Sequence, residues 1–537
     1  MPFKARVAPT RGEHPILRRV AVIDLGSNTF RLVAFSYTPH GSFHLTDEIR
    51  ETVRLSAGAV DGRLHDTAIA RGLAAVRMYV AYCQRTGVEE VIVGATSAIR
   101  DATNQREVLD LFRDAGLEAR VLSTEDEAYY GYLGIVNSMP LKDGFFLDVG
   151  GGSAQVGRVT SRTLERSMSE PLGAVRMTEA FYTDEPASRG QVKEQRRHVE
   201  ACLAKYSWIG SDGLPLFGTG GTIRTLAAMA QRASDYPLND VHAYTLHAQA
   251  IEKIIDKLSP LAPAQRVKIP GLKTDRGDII LAGAVTVLSV MRALGAETIE
   301  VCGEGLREGM FYEHYLAPRR PPIITDVRRN TVENLAGNYG VDRPHAEHVA
   351  RLALEVFDGT ARVGLHEGSR VEREWLWAAS LLHDVGVIVD YHDHHKHGFY
   401  LVLNGGMPGF THRELVLIAL VIRAHRKSLP SGDWLQPVLE KGDYARFLRL
   451  ASCLRLAEQL ERDRTQQVRS VTVERHDDSV LLRLNGEVDH SVAVWSAAPE
   501  AEVFRQAFGA RLELVAEHAE LAVRRVDDGT SPPDASG

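Results

Sequence analysis

The stretch GFFLDVGGGSAQVGR, Gly144–Arg158, sets an apolar run ending in one aspartate before three consecutive glycines, a serine and a second alternating apolar run. That order predicts a strand, a tight turn and a returning strand. Glycines at such a turn let main-chain N–H groups converge on a phosphate at a distance that any Cβ would forbid. Gly150, Gly151, Gly152 and Ser153 are therefore candidate phosphate-binding residues. Asp148, at the strand end, offers the hard oxygen needed by a Mg²⁺ ion bridging phosphate oxygens. A single such stretch is weak, because glycine turns punctuate strands in many unrelated chains.

The layout recurs in VAVIDLGSNTFRLVAF, Val20–Phe35, where Asp24, Gly26 and Thr29 repeat the spacing of Asp148, Gly150 and Ser153. Two Asp-x-Gly-x-x-Ser/Thr hairpins predict a duplicated α/β domain with a cleft between the copies, each loop facing one phosphate chain. Gly26, Ser27, Asn28 and Thr29 join the phosphate-binding set on that basis.

With 537 residues the chain exceeds what one core supports, and three or four domains are expected. Its hydrophobic and charged fractions, 44% and 25%, are those of an ordinary globular protein. A formal charge of −7 excludes a global basic field, so a polyphosphate or nucleic-acid partner would need a local basic cleft. Cys83, Cys202, Cys302 and Cys453 are far apart and form no CxxC pair, against a disulfide framework or a cysteine zinc site. The basic start MPFKARVAPTRGEHPILRR lacks an apolar h-region, and no run reaches about 18 apolar residues. The expectation is a cytoplasmic protein that engages neither membrane nor DNA.

Along the chain, Thr67–Arg85 has helical spacing, Val91–Val93 reads as a buried strand, and Ala95–Arg100 as a loop opening a helix. Helix N-termini bind anions, so Ser97 and Arg100 are candidate phosphate contacts, or else a cap and a surface charge. Glu125, Asp126 and Glu127 crowd the start of another helix; a carboxylate there could orient and deprotonate a water near a phosphate. Arg176 follows a Pro-Leu-Gly turn. LPLFGTGGTIRTLAAM predicts a third strand, glycine loop and helix, with Gly220, Gly221 and Thr222 at a second anion cradle. RGDIILAG, from Arg276, and GEGLREGM, from Gly303, are glycine turns at helices. Ala317–Asp326 reads as a linker; helical periodicity then runs to about Asp463. Ser470–Val494 reads as strands around an Asn485–Gly486 turn, a helix follows from Glu500, and DDGTSPPDASG as a disordered tail.

DLGSNTFRL, GATSAIRDATN, Glu127–Ala128, DVGGGS, PLGAVR and GTGGTIRTLAAM follow one another as in the exopolyphosphatase and guanosine pentaphosphate phosphohydrolase family, which the whole chain resembles. The resemblance implies an α/β fold of two ribonuclease-H-like lobes of the actin, Hsp70 and sugar-kinase superfamily, at 1–135 and 136–318. An all-helical HD-like domain (319–466), a small α+β domain (467–526) and the tail (527–537) would follow. It implies Glu127 as catalytic base, Asp148 and Asp24 as magnesium ligands, and Asn28, Arg100, Gly151, Gly152 and Ser153 as holders of the terminal phosphates. Gln155 departs from relatives that carry glutamate there. The implied reaction is hydrolysis of the terminal phosphate of inorganic polyphosphate, with guanosine pentaphosphate as the alternative substrate or both served. A homodimer is implied by analogy.

His345, His383 and Asp384, with His392, His394, His395, His397 and His425, concentrate imidazoles in the helical region. The adjacent His383–Asp384 resembles HD-domain metal ligation, which implies His345, His383, Asp384 and Glu458 as ligands of a second, transition metal. Glu458 stands where that pattern has aspartate, and so does Glu461. Arg423, Arg426, Lys427 and Arg449 are candidates for a basic channel across this region. Two other classes stay open: a nucleotide-sensing module with an inert cleft, and an enzyme whose only catalyst is the HD-like region. Glu127→Gln separates the first from the phosphatase, and His383→Ala with Asp384→Ala separates the second.

Overall fold

In the computed structural model, residues 17–39, 41–183, 186–487 and 490–516 are described; the expected disordered tail at 527–537 lies outside them. Strands β1 (Arg18–Leu25), β2 (Phe30–Tyr37), β3 (Phe43–Glu51), β4 (Glu90–Ala95) and β5 (Arg120–Val121) form one sheet in the order β3-β2-β1-β4-β5. Strands β6 (Gly144–Val149), β7 (Ala154–Thr160), β8 (Thr163–Glu170), β9 (Leu216–Thr219), β10 (Tyr244–His247) and β11 (Thr298–Val301) form a second, ordered β10-β11-β9-β6-β7-β8. Each sheet therefore runs third, second, first, fourth, fifth, with β10 an added antiparallel edge. β1 and β6 each pair antiparallel with the next strand and parallel with the fourth. The repeated hairpin is the opening of a repeated sheet, and Asp24 and Asp148 occupy the penultimate position of equivalent strands.

Alternation along β1 sends Val20 and Val22 into one core and Ala21, Ile23 and Leu25 into another. Strands covered on both faces read as continuous apolar runs, as VAVI does. β4 is less complete than expected: Val93 is buried but Val91 faces solvent. The core shared by the two lobes is filled by the helices Thr124–Ser138 and Leu306–Tyr315. Their backbones touch at glycines. A Cβ on Gly134 would lie 2.9 Å from the Gly305 Cα, and one on Gly309 2.7 Å from the Tyr130 carbonyl carbon. Backbone cannot retreat as a flexible side chain can, so Gly309→Ala should cost about 1–3 kcal/mol. Calorimetry of the full chain should show the melting of this unit lowered; an unchanged transition would contradict the crossing.

The chain divides into two compact units between Asn334 and Leu335, with Pro408–Phe410 belonging to the first. The boundary expected at 318/319 therefore falls inside the first unit. Asn137 explains this: its Nδ2 donates to the Pro322 carbonyl (3.0 Å) and its Oδ1 accepts from the Ile324 N–H (2.7 Å). Pro322–Ile324 are packed against the helix that carries Asn137, whereas 317–321 are exposed.

The second unit holds helices Arg343–Arg362, Arg370–Leu382, His394–Gly405, His412–Ala424 and Asp443–Leu460. Strands β12 (Ser470–His476), β13 (Ser479–Asn485) and β14 (Arg511–Ala516) form its sheet, β12-β13 antiparallel and β13-β14 parallel. The hairpin turns at Asp477–Asp478, not at Asn485–Gly486, with Asp477 at φ +47°. Aspartate tolerates that left-handed backbone, so the pair replaces the expected Asn-Gly signal. Ser491–Ala497 is a helix rather than the end of a strand, and a further helix spans Ala501–Phe508.

Candidate active site

The turn between β1 and β2 and the turn between β6 and β7 open onto one cleft. Asp24, Gly26–Thr29, Ser97, Glu127, Asp148, Gly150–Ser153, Gly220 and Gly221 all line it. The β1–β2 turn touches both neighbours: Ser27 Oγ lies 3.0 Å from Ser97 Oγ, just after β4, and a Cβ on Gly151 of the β6–β7 turn would sit 3.5 Å from Ser27 Cβ. A Cβ on Gly152 would lie 3.1 Å from Ser27 Oγ and collide with the Ser97 hydroxyl. The glycines thus leave main-chain groups, not side chains, facing the cleft.

The three clustered carboxylates separate. Asp126 closes a capping box with Ser123 (3.0 and 3.1 Å), Glu125 is exposed, and Glu127 points inward with 6% of its surface exposed. Arg100 pairs with Glu127 Oε1, and Ser153 Oγ and Gln155 Nε2 donate to Oε2 at 3.2 and 3.1 Å. Burial pushes the Glu127 carboxyl up to about 7, against the opposing pull of Arg100. Gln155 Nε2, with two N–H groups to give, also lies 2.9 Å from Ser153 Oγ and 3.1 Å from Ser169 Oγ. A glutamate at this position could not donate to these acceptors, so the amide serves to hold Glu127.

Asp24 and Asp148 face the same space from opposite lobes. Burial raises both, Asp148 to about 6; for Asp148 Arg224 opposes the shift and Asp24 adds to it. Their hard oxygens suit Mg²⁺, and glycines keep room beside them. Gly220, at φ +90°, would drive a Cβ into Asp148 Oδ1, and a Cβ on Gly131 would lie 3.7 Å from Oδ2. The donor set and this space fit a hard divalent cation.

Four arginines on the walls went unrecognised in the sequence: Arg31, Arg224, Arg276 and Arg307. Arg31 is paired in register with Asp24 across the hairpin, and Arg307 lies 3.8 Å from Asp24 Oδ2. Burial, then the neighbouring Arg307, draws Arg31 down to about 9; burial, then Arg50, draws Arg276 to about 10. Guanidiniums crowded this way stay charged at neutral pH yet repel one another, a cost that a bound polyanion relieves.

Other expected residues fall elsewhere. Arg100 stands behind Glu127, its Nη1 also held by the Leu122 carbonyl at 3.0 Å. Thr222 is fully buried with its side chain against Gly283, so its hydroxyl is no phosphate contact. Arg176 pairs with Asp101 (3.0 Å). Arg449 pairs with Glu372 and Lys427 with Asp393, and Arg426 lines a cavity of the second unit, so the proposed basic channel is not a continuous strip. His345, His383, Asp384 and Glu458 do come together in that unit, whereas Glu461 pairs with His348 (3.4 Å) instead.

Residues 34–317, over half of the chain, match the model of the Ppx/GppA phosphatase family. The chain belongs to this family. Residues 327–492 match the model of Ppx/GppA phosphatase domain III. A guanosine-5'-triphosphate,3'-diphosphate pyrophosphatase of Pseudoalteromonas translucida is 27% identical over 438 residues, covering 77% of this chain and 81% of that protein. One from Aeromonas hydrophila is 26% identical over 479 residues, covering 86% and 92%. The solved structure of an exopolyphosphatase from Cytophaga hutchinsonii matches with a TM-score of 0.51 at 21% identity, covering 56% of this chain and 98% of that one. At that identity the likeness speaks for fold alone. It agrees with the paired sheets of this Ppx/GppA protein, which are two ribonuclease-H-like lobes.

Proposed function

We propose that this protein hydrolyses the terminal phosphoanhydride bond of inorganic polyphosphate. The observation that carries the reading is Glu127, a buried carboxyl gripped at both oxygens and set between two glycine loops in an arginine-walled cleft. The ionised carboxylate accepts the proton of a water aimed at the terminal phosphorus, while Arg100, Ser153 and Gln155 fix its orientation. Water oxygen bonds to phosphorus as the bridging oxygen leaves with the shortened chain. The transition state is loose, so position and field do most of the work. Main-chain N–H groups of Gly150–Ser153 and the guanidiniums of Arg31, Arg224 and Arg307 supply that field. Asp148 and Asp24 would hold Mg²⁺, which neutralises phosphate-oxygen charge when bound.

Guanosine pentaphosphate is the second reading, because two relatives matched over most of their length carry the corresponding name. Phosphate release from long-chain polyphosphate and from the guanosine nucleotide, measured side by side with Mg²⁺, decides between them. Faster release from polyphosphate supports the first reading; equal or inverted preference overturns it. Among the described residues no helix is long and apolar enough to cross a membrane.

Because Glu127 must be ionised, kcat/KM should fall about tenfold per pH unit below an inflection near 7. Arg100→Ala removes the charge that opposes burial, so the inflection should rise by about one unit or more. Parallel pH profiles test this, and an unmoved inflection would contradict the pairing.

A further inference from the structure

The second unit gathers ligand-type side chains that the cleft chemistry does not use. His345, His383, Asp384, His394, His425 and Glu458 come from helices Arg343–Arg362, Arg370–Leu382, His394–Gly405, His412–Ala424 and Asp443–Leu460 or the residues just after them. They form two triads, His345–His383–Glu458 and Asp384–His394–His425, each with donor atoms within 4.8 Å of one another. His345 Nε2 and His383 Nε2 are 3.3 and 3.2 Å from Glu458 Oε2. His394 Nε2 is 3.3 Å from Asp384 Oδ1 and 2.9 Å from His425 Nε2. Asp384 joins the triads, with Oδ1 3.6 Å from His383 Nε2 and Oδ2 3.9 Å from His345 Nε2.

Orientation favours metal over packing. His383, His394 and His425 each face Nδ1 to a backbone carbonyl three residues earlier, at 2.7, 2.8 and 2.7 Å. With Nδ1–H donated outward, every Nε2 turns a lone pair inward, the arrangement of a metal-binding imidazole. His394 and His425 then oppose lone pair to lone pair. His345 Nε2, His383 Nε2 and Glu458 Oε2 are buried with no hydrogen-bond partner outside their own cluster. His345 is 3% exposed and His383 fully buried, so water does not relieve them. A cavity of 580 Å³ adjoins the centre, with Asp384, His394 and Glu458 on its lining together with Arg426, Arg462 and Arg464. Arg464 pairs with Asp384 Oδ2 (2.7 Å), and the Arg426 and Arg462 guanidiniums beside the cation centre are surroundings that suit a phosphate group.

We infer that the second unit carries a centre for two divalent transition-metal ions, one per triad with Asp384 shared, and that the adjoining cavity brings a phosphate-bearing ligand to it. Imidazole with carboxylate selects manganese, iron or zinc, whereas the carboxylates of the cleft suit magnesium. The four ligands expected from the sequence account for one ion; His394 and His425 make the second. None of this depends on the reading of the cleft.

The test uses the full chain carrying Asp24→Asn and Asp148→Asn, stripped with chelator and titrated with Mn²⁺. Two bound ions per chain, a spin-coupled electron paramagnetic resonance spectrum and a raised melting temperature are expected. Adding His394→Ala with His425→Ala should leave one ion and an uncoupled spectrum. Inorganic phosphate should perturb the coupled signal. No uptake and no thermal shift would overturn the centre, and so would uptake unchanged by His345→Ala with His383→Ala. One ion per chain before the His394 and His425 substitutions would overturn its dinuclear form. A coupled spectrum indifferent to phosphate would overturn the role of the cavity.

Discussion

Glu127→Gln should lower kcat by about 10²–10⁴-fold, the usual worth of a positioned general base, and change KM by no more than a few-fold. The amide keeps the volume, so Ser153 can stay in place and the glycine loops are not disturbed. What is lost is the lone-pair site that takes the proton from water. Arg100 loses this partner in the same variant but stays behind residue 127, held by the Leu122 carbonyl and Asp101, so substrate affinity is little changed. Substrate affinity measured by calorimetry beside steady-state kinetics separates the two effects. A variant that binds polyphosphate normally but does not turn it over fits the account. One that retains more than a tenth of wild-type kcat removes Glu127 from the reaction.

Asp148→Asn should raise the Mg²⁺ concentration needed for half activity and lower activity at moderate Mg²⁺ by at least about 10²-fold, since even partners that merely support a metal ligand are worth 10–100-fold in affinity. Asp148 and Asp24 confront each other across the cleft, each raised by burial, so a cation relieves two buried carboxylates at once. The side-chain amide of that variant is neutral and cannot supply the anionic oxygen. Without cation the substitution should stabilise the fold: Asp148 ionises near 6 in the native state and near the ordinary 3.8 when unfolded. A raised native carboxyl contributes stability below the unfolded value that is lost as pH climbs through the native one. The wild type should therefore lose stability between about pH 4 and 6, and the variant should lose less. Mg²⁺ titrations of activity and melting curves without Mg²⁺ across that range check both halves; identical Mg²⁺ dependence would displace Asp148 from metal binding.

The duplicated lobes were legible because their signal is local. An aspartate, a glycine turn and a hydroxyl lie within six residues in each copy, and the strands around them are apolar on both faces. The arginine wall was not legible, since Arg31, Arg224, Arg276 and Arg307 arrive from a strand, two helices and a short 3-10 turn spread over most of the first unit. Each alone reads as an ordinary helix or strand charge. Thr222 shows the converse: it sits beside the right glycines, but the helix Gly220–Ala233 rotates its side chain into the core. The histidine triads were half legible, because His383–Asp384 is a local pair while His394 and His425 meet only through packing of separate helices.

The crystal structure of Glu127→Gln with Mg²⁺ and a short polyphosphate tests the central claim most directly. The account predicts the terminal phosphate between Gly26–Thr29 and Gly150–Ser153, Mg²⁺ on Asp148, and residue 127 directed at the terminal phosphorus. A polyphosphate end bound outside the cleft, or in it but turned away from position 127, would contradict it.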